Sequence, residues 1–386
     1  MQNQISAVKK LLILSFAHMV NDWYMNFIQS MLPILVAAGL SVTKSGFLVS
    51  IFTITSSLMQ PIIGYVVDRK NQKWFVYAGT LFMAVLLSLF GLIKSYPLLM
   101  IVVGIAGFGT AAFHPQASAM TAALSSPEKR GTNQAFFIAA GNIGWALTPL
   151  IAVPIVVKYG LSVTPVFILP GLAAFILLLF ASSKSTSNLK KEHAPLWPTL
   201  RSSWKELTKI MFVVAFRSFT YFGMVSYLSL YLKHRSVSLI LASRLLFLML
   251  FAGALGGFVG GVLSDKFGRK PVLMISLFSA SVFFWLFLST SGAFSYIMLG
   301  LAGASLLASF SITVVLAQSL ISKNAAMASG LMLGFGTGVG GLGVGLIGLL
   351  IDTKGITAAI LLLTCMPAVA GLLSLNICEK EDISIA

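Results

Sequence analysis

Long apolar runs recur along the whole of this sequence, and short polar segments separate them. A helix needs roughly 20 residues to cross a hydrocarbon layer of about 30 Å, because each residue advances it by about 1.5 Å. Twelve runs reach that length, and they cover residues 11–38, 44–66, 75–94, 97–124, 132–157, 161–182, 209–233, 239–264, 271–290, 293–320, 326–350 and 354–377. The sequence therefore predicts an all-α membrane protein with twelve transmembrane helices.

The composition excludes the other classes of fold. Of the 386 residues, 58% are hydrophobic and only 9% are charged, whereas about 25% are charged in soluble domains. Transmembrane β-strands would alternate apolar and polar residues over about ten positions. These runs are instead continuous and rich in Leu, Gly and Ala, so helices are the expected spanning elements.

The basic charge has an explanation within the membrane. The net charge of +16 resembles that of a nucleic-acid-binding protein, but most of the 26 Lys and Arg residues fall in segments on the side of the N-terminus. The positive-inside rule places that side in the cytoplasm. We therefore expect both termini in the cytoplasm and no nucleic-acid partner. The first apolar run is too long for a cleaved signal peptide and predicts a retained helix.

A polar stretch divides the chain into two halves. We expect residues 1–181 to form an N-terminal six-helix bundle and residues 209–386 a C-terminal bundle with a short cytoplasmic tail. Residues 182–208 would form a cytoplasmic linker. Within it Leu196, Leu200, Trp204 and Leu207 recur at helical spacing among basic residues, which is typical of an amphipathic helix on the membrane surface.

Each half carries a related loop. "GYVVDRKNQKW" (64–74) follows the second span and "GGVLSDKFGRKPV" (260–272) follows the eighth. The matching residues are Gly64, Asp68, Arg69 and Lys73 in the first loop, and Gly261, Asp265, Lys266, Gly268, Arg269 and Lys270 in the second. Glycine at the end of a helix admits a close neighbour, and an aspartate accepts hydrogen bonds from that neighbour's N-terminus or cations. The two loops predict a conformational latch.

These loops resemble the signature loop of the major facilitator superfamily. The second loop matches it throughout, whereas the first has Asn71 where glycine is usual and Gln72 where a basic residue is usual. A finer resemblance, to the fosmidomycin-resistance branch of bacterial drug exporters, comes from "HMVND" (18–22), "FHPQASAM" (113–120), "GTNQAFFIAAGNIGWALTPL" (131–150) and "SYLSLYL" (226–232). Gln116 departs from that branch, which often has an acidic residue there. Gly141, Gly144 and Pro149 form a loose version of a motif common in antiporters of the superfamily.

The resemblance implies two pseudo-symmetric six-helix bundles that rock about a central site. It also implies proton antiport that expels a small amphipathic or anionic compound, including drugs, across the cytoplasmic (inner) membrane of a bacterium. No nucleotide-binding loop, metal cluster or nucleophile–base pair is evident in the sequence. We therefore expect a monomeric transporter and not an enzyme, with no cofactor or metal, whose partners are a small-molecule substrate, protons and lipid.

Ionisable residues inside the predicted spans are the strongest functional candidates. Asp22 lies about 16 Å from the start of the first span, near the midplane, where a charge costs about 3 kcal/mol or more unless it is paired or hydrated. His18 lies one turn earlier on the same helix face. Together with His114 in the fourth span, they are the candidate proton-coupling residues. The alternative for each is a structural role, as an interhelical hydrogen-bonding or packed neutral side chain.

The similarity of the two halves also links Asp22 to Arg217, which lies within the seventh predicted span. Matching "GLSVTKSG" (39–46) to "HRSVSLIL" (234–241) offsets the first and seventh spans so that Asp22 aligns with Arg217. We hypothesise that the two residues either pair in one state of the transport cycle or share an anionic substrate. The candidate substrate-binding residues are Arg217, Asp22, His114, Gln134, Asn142, Gln318, Trp23, Phe113, Phe137, Trp145, Tyr221 and Tyr227. The alternatives for the uncharged members are interhelical contacts and lipid-facing positions.

Two rival functions remain open at this stage. One uses the same fold for proton-coupled uptake of a metabolite. The other is a membrane receptor or scaffold that transports nothing, although only short loops would be available to such a protein outside the membrane.

Overall fold

The computed structural model describes residues 2–69, 74–126, 130–181, 196–321 and 325–377. Over these residues the chain is helical, and each predicted span coincides with a helical segment. The α-helices are α1 (Gln2–Met25), α2 (Phe27–Ala37), α3 (Val42–Arg69), α4 (Trp74–Ser88), α5 (Tyr96–Leu124), α6 (Arg130–Tyr159), α7 (Ile168–Ala181), α8 (Leu196–His234), α9 (Leu239–Phe267), α10 (Arg269–Ser289), α11 (Gly292–Leu320), α12 (Ala325–Lys354) and α13 (Ile356–Ser374).

The predicted all-α membrane fold is confirmed. Among the described residues, ten segments are long and apolar enough to cross a membrane, the first of them being Trp74–Leu92. The first predicted span is divided into α1 and α2 at Asn26. The Asn26 side chain donates to the Trp145 carbonyl oxygen at 2.8 Å, so a contact with α6 holds the break.

Contacts divide the chain into two compact units. One consists of Met1–Leu189 and Ser238–Phe247, and the other of Lys190–Val237 and Leu248–Ala386. The helix that contains the seventh predicted span begins at Leu196, inside the predicted linker. Pro198 lies in its first turn, where proline is tolerated, and no glycine or proline follows before residue 209. Within that extension, Leu207 is buried in the core of the second unit and Trp204 is exposed.

In the first unit, α1 contacts α4, α5, α6 and α7. Polar side chains connect α1 to α5, to α6 and to the segment just before α7. Thr110 of α5 donates to Asn21 Oδ1 at 3.1 Å, and Thr148 of α6 donates to the Trp23 carbonyl oxygen at 2.7 Å. Tyr24 donates to the Phe167 carbonyl oxygen, just before α7. The ionisable residues of α1 are therefore enclosed by several helices.

Glycines in α9 let it approach α11 closely within the second unit. A Cβ on Gly256 would overlap the Ala304 carbonyl oxygen, and one on Gly260 would lie 2.6 Å from Ala308 Cα. Gly261, the glycine of the loop motif, has ordinary room, since its Cβ would lie 3.5 Å from Ser311 Oγ. The close contact between α9 and α11 therefore involves Gly256 and Gly260, and not Gly261 of the loop motif.

This contact predicts a difference between two adjacent glycines. Gly256→Ala should destabilise the protein by about 1–3 kcal/mol, because α9 and α11 must separate. Gly257→Ala is the matched control, since its Cβ would meet nothing nearer than the Leu307 carbonyl oxygen at 3.5 Å. Thermal unfolding of the purified variants measures the difference. Equal midpoints for the two would show that the close approach is not required.

Candidate functional site

Three ionisable side chains meet inside the first unit and form the His–Asp–His cluster: His18 and Asp22 of α1 and His114 of α5. His114 Nε2 lies 2.8 Å from Asp22 Oδ1, and His18 Nε2 lies 3.3 Å from Asp22 Oδ2. The exposed fraction of the side chain is 22% for His114, 13% for Asp22 and 9% for His18. The carboxyl group therefore has an imidazole nitrogen at each of its oxygens in a site nearly closed to solvent.

Local sequence explains half of this arrangement. His18 and Asp22 are four residues apart on α1, so they share one face of the helix. His114 is brought to them by the contact between α1 and α5. The structure thus brings together all three candidate proton-coupling residues.

Two phenylalanines hold the His18 ring. Phe137 of α6 stacks on it with ring centroids 4.0 Å apart and an interplanar angle of 15°, and Phe113 stacks at 5.9 Å and 26°. The His18 Nδ1 atom also lies 2.7 Å from the Phe137 carbonyl oxygen. Because that oxygen only accepts hydrogen bonds, Nδ1 must be the donor. Ring position and tautomer are both fixed.

Gly141 allows α6 to lie against the cluster. A Cβ at this position would be 2.5 Å from Asp22 Oδ2 and 2.6 Å from His18 Cε1. One turn later, a Cβ on Gly144 would overlap the Met19 carbonyl oxygen. The sequence indicated both glycines only as parts of a loose motif, and their contact with Asp22 and His18 was not predicted.

We expect Gly141→Ala to displace the cluster. The new methyl group must push His18 and Asp22 aside, which should cost about 1–3 kcal/mol of stability and reduce transport. Gly334→Ala is a suitable control, because its Cβ would meet no atom within 4 Å. Thermal unfolding and transport by the two variants provide the comparison. Unchanged transport by Gly141→Ala would show that the cluster tolerates displacement.

The same three residues have the composition of a metal site, with one ligand atom from each within 4.8 Å of the others. The contact between His114 and Asp22 is nevertheless that of a hydrogen bond. Ligands bound to tetrahedral zinc at about 2.0–2.1 Å are separated by about 3.3 Å, whereas His114 Nε2 and Asp22 Oδ1 are 2.8 Å apart. The contact between His114 and Asp22 is therefore shorter than the separation of two ligands on one zinc ion.

A second site surrounds Arg217 of α8, in the other unit. The residue is only 3% exposed, and its guanidinium carbon lies 4.5 Å from the centroid of the Phe310 ring. Nη1 is buried and has no hydrogen-bond partner among the described residues. Gly336 lies beside the group, since its Cβ would be 3.6 Å from Nη2. Phe310 itself is 40% exposed.

A buried guanidinium without a counter-ion is costly. Effective penalties for removing an unpaired charge from water are several kcal/mol, and the described residues provide no carboxylate within ion-pair distance of Arg217. Stacking on an aromatic face recovers only part of that cost. The free hydrogen-bonding capacity of Nη1 suits a planar oxyanion, which arginine binds through paired donors.

The remaining aromatic candidates occupy different surroundings. Trp23 is buried against Tyr24 and Phe167, and the fully buried Tyr227 donates to the Val344 carbonyl oxygen at 2.7 Å. Tyr221 is half-buried, with its ring edge-on to Phe222. Trp23 and Tyr227 therefore contribute to packing within their units.

The polar candidates and Trp145 differ in their exposure. Asn142 is exposed on α6, Trp145 and Gln318 are half-buried, and the side chain of Gln134 lies outside the described residues.

In the first loop, Gly64, Asp68 and Arg69 belong to the end of α3, but only their backbone is described, and Lys73 lies outside the described residues.

The second loop is described in full. Asp265 and Lys266 are exposed at the end of α9, and Lys266 Nζ lies 5.3 Å from the centroid of the Phe267 ring. Gly268 has a φ of +90°, which only glycine adopts readily, and it joins α9 to α10. Arg269 and Lys270 follow, half-buried, in the first turn of α10. Gly268, the second glycine of the motif, thus forms the turn between α9 and α10.

The chain is similar to known proteins over most of its length. The family model for the Major Facilitator Superfamily matches residues 11–328. Similar proteins include the fosmidomycin resistance protein of Escherichia coli (strain K12), 30% identical over 347 residues that cover 88% of this chain and 85% of that protein. Another is the uncharacterized MFS-type transporter YfnC of Bacillus subtilis (strain 168), 30% identical over 377 residues, 94% of this chain and 91% of that protein.

A solved structure shows the same fold. A bacterial homologue of the human lysosomal transporter Spinster matches with a TM-score of 0.79 at 17% sequence identity, over 95% of this chain and 96% of that chain. At this identity the match is evidence for the fold alone.

Proposed function

This chain belongs to the major facilitator superfamily of membrane transporters, and from that membership we propose that it is a proton-coupled antiporter that exports a small amphipathic or anionic compound. It is a multi-pass membrane protein and not an enzyme. Export would proceed by alternating access, with the two predicted six-helix bundles, residues 1–181 and 209–386, as its moving parts. The loops after α3 and α9 would act as conformational latches between states.

The His–Asp–His cluster is the observation that carries this proposal. Ionisable groups within membrane spans are rare and functional by default, because they are costly to place there. Here a carboxyl group and two imidazoles lie within hydrogen-bonding distance at predicted mid-membrane depth. Imidazole groups serve as proton shuttles and as general acids and bases in proteins. A proton that binds to this cluster would change the contacts between α1, α5 and α6.

The substrate class is inferred from the second unit. The buried Arg217 guanidinium, with its unpaired Nη1 atom and its stacking on Phe310, supports binding of a negatively charged group next to an apolar one. The related protein of E. coli is named for fosmidomycin resistance, so fosmidomycin is the first compound to test. The Lys and Arg distribution supports an inner-membrane protein with both termini in the cytoplasm.

Reconstitution into liposomes with an imposed pH gradient tests the function. An antiporter moves a labelled compound against the proton flux, and we expect this behaviour for fosmidomycin or for a member of a panel of lipophilic and anionic drugs. Movement of compound and protons in the same direction would establish the symport alternative. Failure of every compound to move in either direction would favour the receptor alternative and contradict the proposal.

A further inference from the structure

We propose that the proton exchanged for substrate is held between His18 Nε2 and Asp22 Oδ2, whereas His114 serves as a fixed donor that positions the carboxylate. This inference rests on the proposed antiport function and identifies the atoms at which the proton binds. The sequence analysis named both histidines as proton-coupling candidates, and the geometry of the cluster assigns them different roles.

The Phe137 carbonyl oxygen determines which nitrogen of a neutral His18 carries the hydrogen. It lies 2.7 Å from His18 Nδ1, and a carbonyl oxygen can only accept a hydrogen bond. The hydrogen of a neutral His18 must therefore be on Nδ1, which leaves a lone pair on Nε2. Stacking between Phe137 and Phe113 prevents the ring from turning freely to exchange the two nitrogens.

The Nε2 atom then faces a second acceptor. Asp22 Oδ2 lies 3.3 Å away, and the pair is largely buried. If His18 is neutral and Asp22 is ionised, the Nε2 lone pair lies 3.3 Å from a carboxylate oxygen in a largely buried site, where their repulsion is weakly screened. The contact becomes favourable only when one additional proton lies between them, bound either to Nε2 or to Oδ2.

His114 does not require an additional proton. A neutral His114 with its hydrogen on Nε2 donates to Asp22 Oδ1 at 2.8 Å, and this contact is favourable whether or not the proton between His18 and Asp22 is present. The two histidines thus differ in function although both contact the same carboxyl group. His114 holds the carboxylate, and His18 shares the proton with it.

No other acidic or basic side chain among the described residues forms an ion pair with the cluster. The other described titratable side chains on the helices that contact α1 and on α1 itself are Lys9, Lys10, Tyr24, Tyr77, Tyr96, Lys158 and Tyr159. Of these, Tyr24 hydrogen-bonds the backbone beside α7. The exchangeable charge of the site thus belongs to His18, Asp22 and His114.

Loss of the proton has a structural consequence. His18 is held by the α6 backbone through Phe137, and Asp22 is held by His114 of α5. When the proton leaves, repulsion between Nε2 and Oδ2 acts on two side chains of α1, one of which contacts α6 and the other α5. The occupancy of one proton site therefore alters the packing of α5 and α6 about α1, which provides the coupling that an antiporter needs.

Paired glutamine variants test the assignment. Glutamine at position 114 still donates an N–H to Oδ1, so His114→Gln should reduce substrate-triggered proton release and gradient-driven transport less than His18→Gln does. His18→Gln cannot share a proton, and we expect it to lose both by about 10²-fold while retaining substrate exchange without a gradient. Gly334→Ala, whose Cβ would meet no atom within 4 Å, is the variant expected to keep the native values. The reverse pattern, with loss in His114→Gln alone, would overturn the assignment and leave antiport intact.

A spectroscopic measurement separates this inference from the transport function. The chain has four histidines, so nitrogen NMR of protein labelled at histidine can resolve each ring, and His18→Gln assigns one of them. We expect Nδ1 of His18 to carry a hydrogen at every pH at which the protein is folded, while Nε2 loses its share of the proton at high pH. A neutral His18 with its hydrogen on Nε2 would overturn the proposal, whatever the transport assays show.

Discussion

Asp22→Asn should abolish transport driven by a pH gradient while substrate exchange without a gradient continues. Asparagine has nearly the shape of aspartate and still accepts a hydrogen bond from His114, but it cannot hold a proton between itself and His18. A fall of about 10²-fold or more in gradient-driven transport is expected from the loss of a positioned proton carrier. Proteoliposomes loaded with labelled substrate measure both activities in one preparation.

Asp352→Asn is the matched control for this variant. Asp352 is an exposed acid near the end of α12, so the same chemical change there should leave both activities near the native values. If Asp22→Asn keeps a gradient-driven rate with the native pH dependence, then the cluster does not carry the coupled proton. Loss of exchange together with driven transport would indicate damage to substrate binding instead.

Arg217→Gln should weaken the binding of anionic substrates by about 10²-fold, because charge-assisted hydrogen bonds contribute about 1.5–3 kcal/mol. The same change should stabilise the substrate-free protein, since it removes a buried charge that has no ionic partner among the described residues. Arg217→Lys retains the charge but not the paired donors or the stacking on Phe310, and it should be intermediate. Binding titrations and thermal unfolding measure the two effects.

Arg244→Gln controls for the loss of one positive charge, because Arg244 is exposed on α9. A neutral derivative of the same substrate provides a second control, as its binding should depend far less on Arg217. Equal losses for the anionic and neutral compounds would indicate that Arg217 supports the fold. A fall in the unfolding temperature of Arg217→Gln would point the same way.

The fold was largely predictable because lipid imposes a simple rule on sequence. A chain that crosses a membrane must satisfy its backbone hydrogen bonds internally, so apolar length alone identifies the helices. The resemblance of the loops to those of the major facilitator superfamily is likewise confirmed by the family match and by the relative from E. coli. The helix break at Asn26 was not predicted, because it depends on a contact with Trp145 far along the chain.

The His–Asp–His cluster was predictable only in part. Helical spacing places His18 and Asp22 on one face, but the distance between His114 and Asp22 depends on how α1 packs against α5, which no local pattern specifies. The Phe137 carbonyl oxygen, which orients His18, is a backbone group with no sequence signature. Phe310 likewise is one of 29 phenylalanines, and only the structure shows that it underlies Arg217.

Substrate-triggered proton release from the purified protein tests the central claim most directly. The native transporter in weakly buffered solution should acidify that solution when it receives a compound that it transports, because substrate binding and the proton on the His–Asp–His cluster exclude each other in antiport. Asp22→Asn should release no protons under the same conditions. Equal acidification by both proteins, or none by the native protein with a transported compound, would contradict the account.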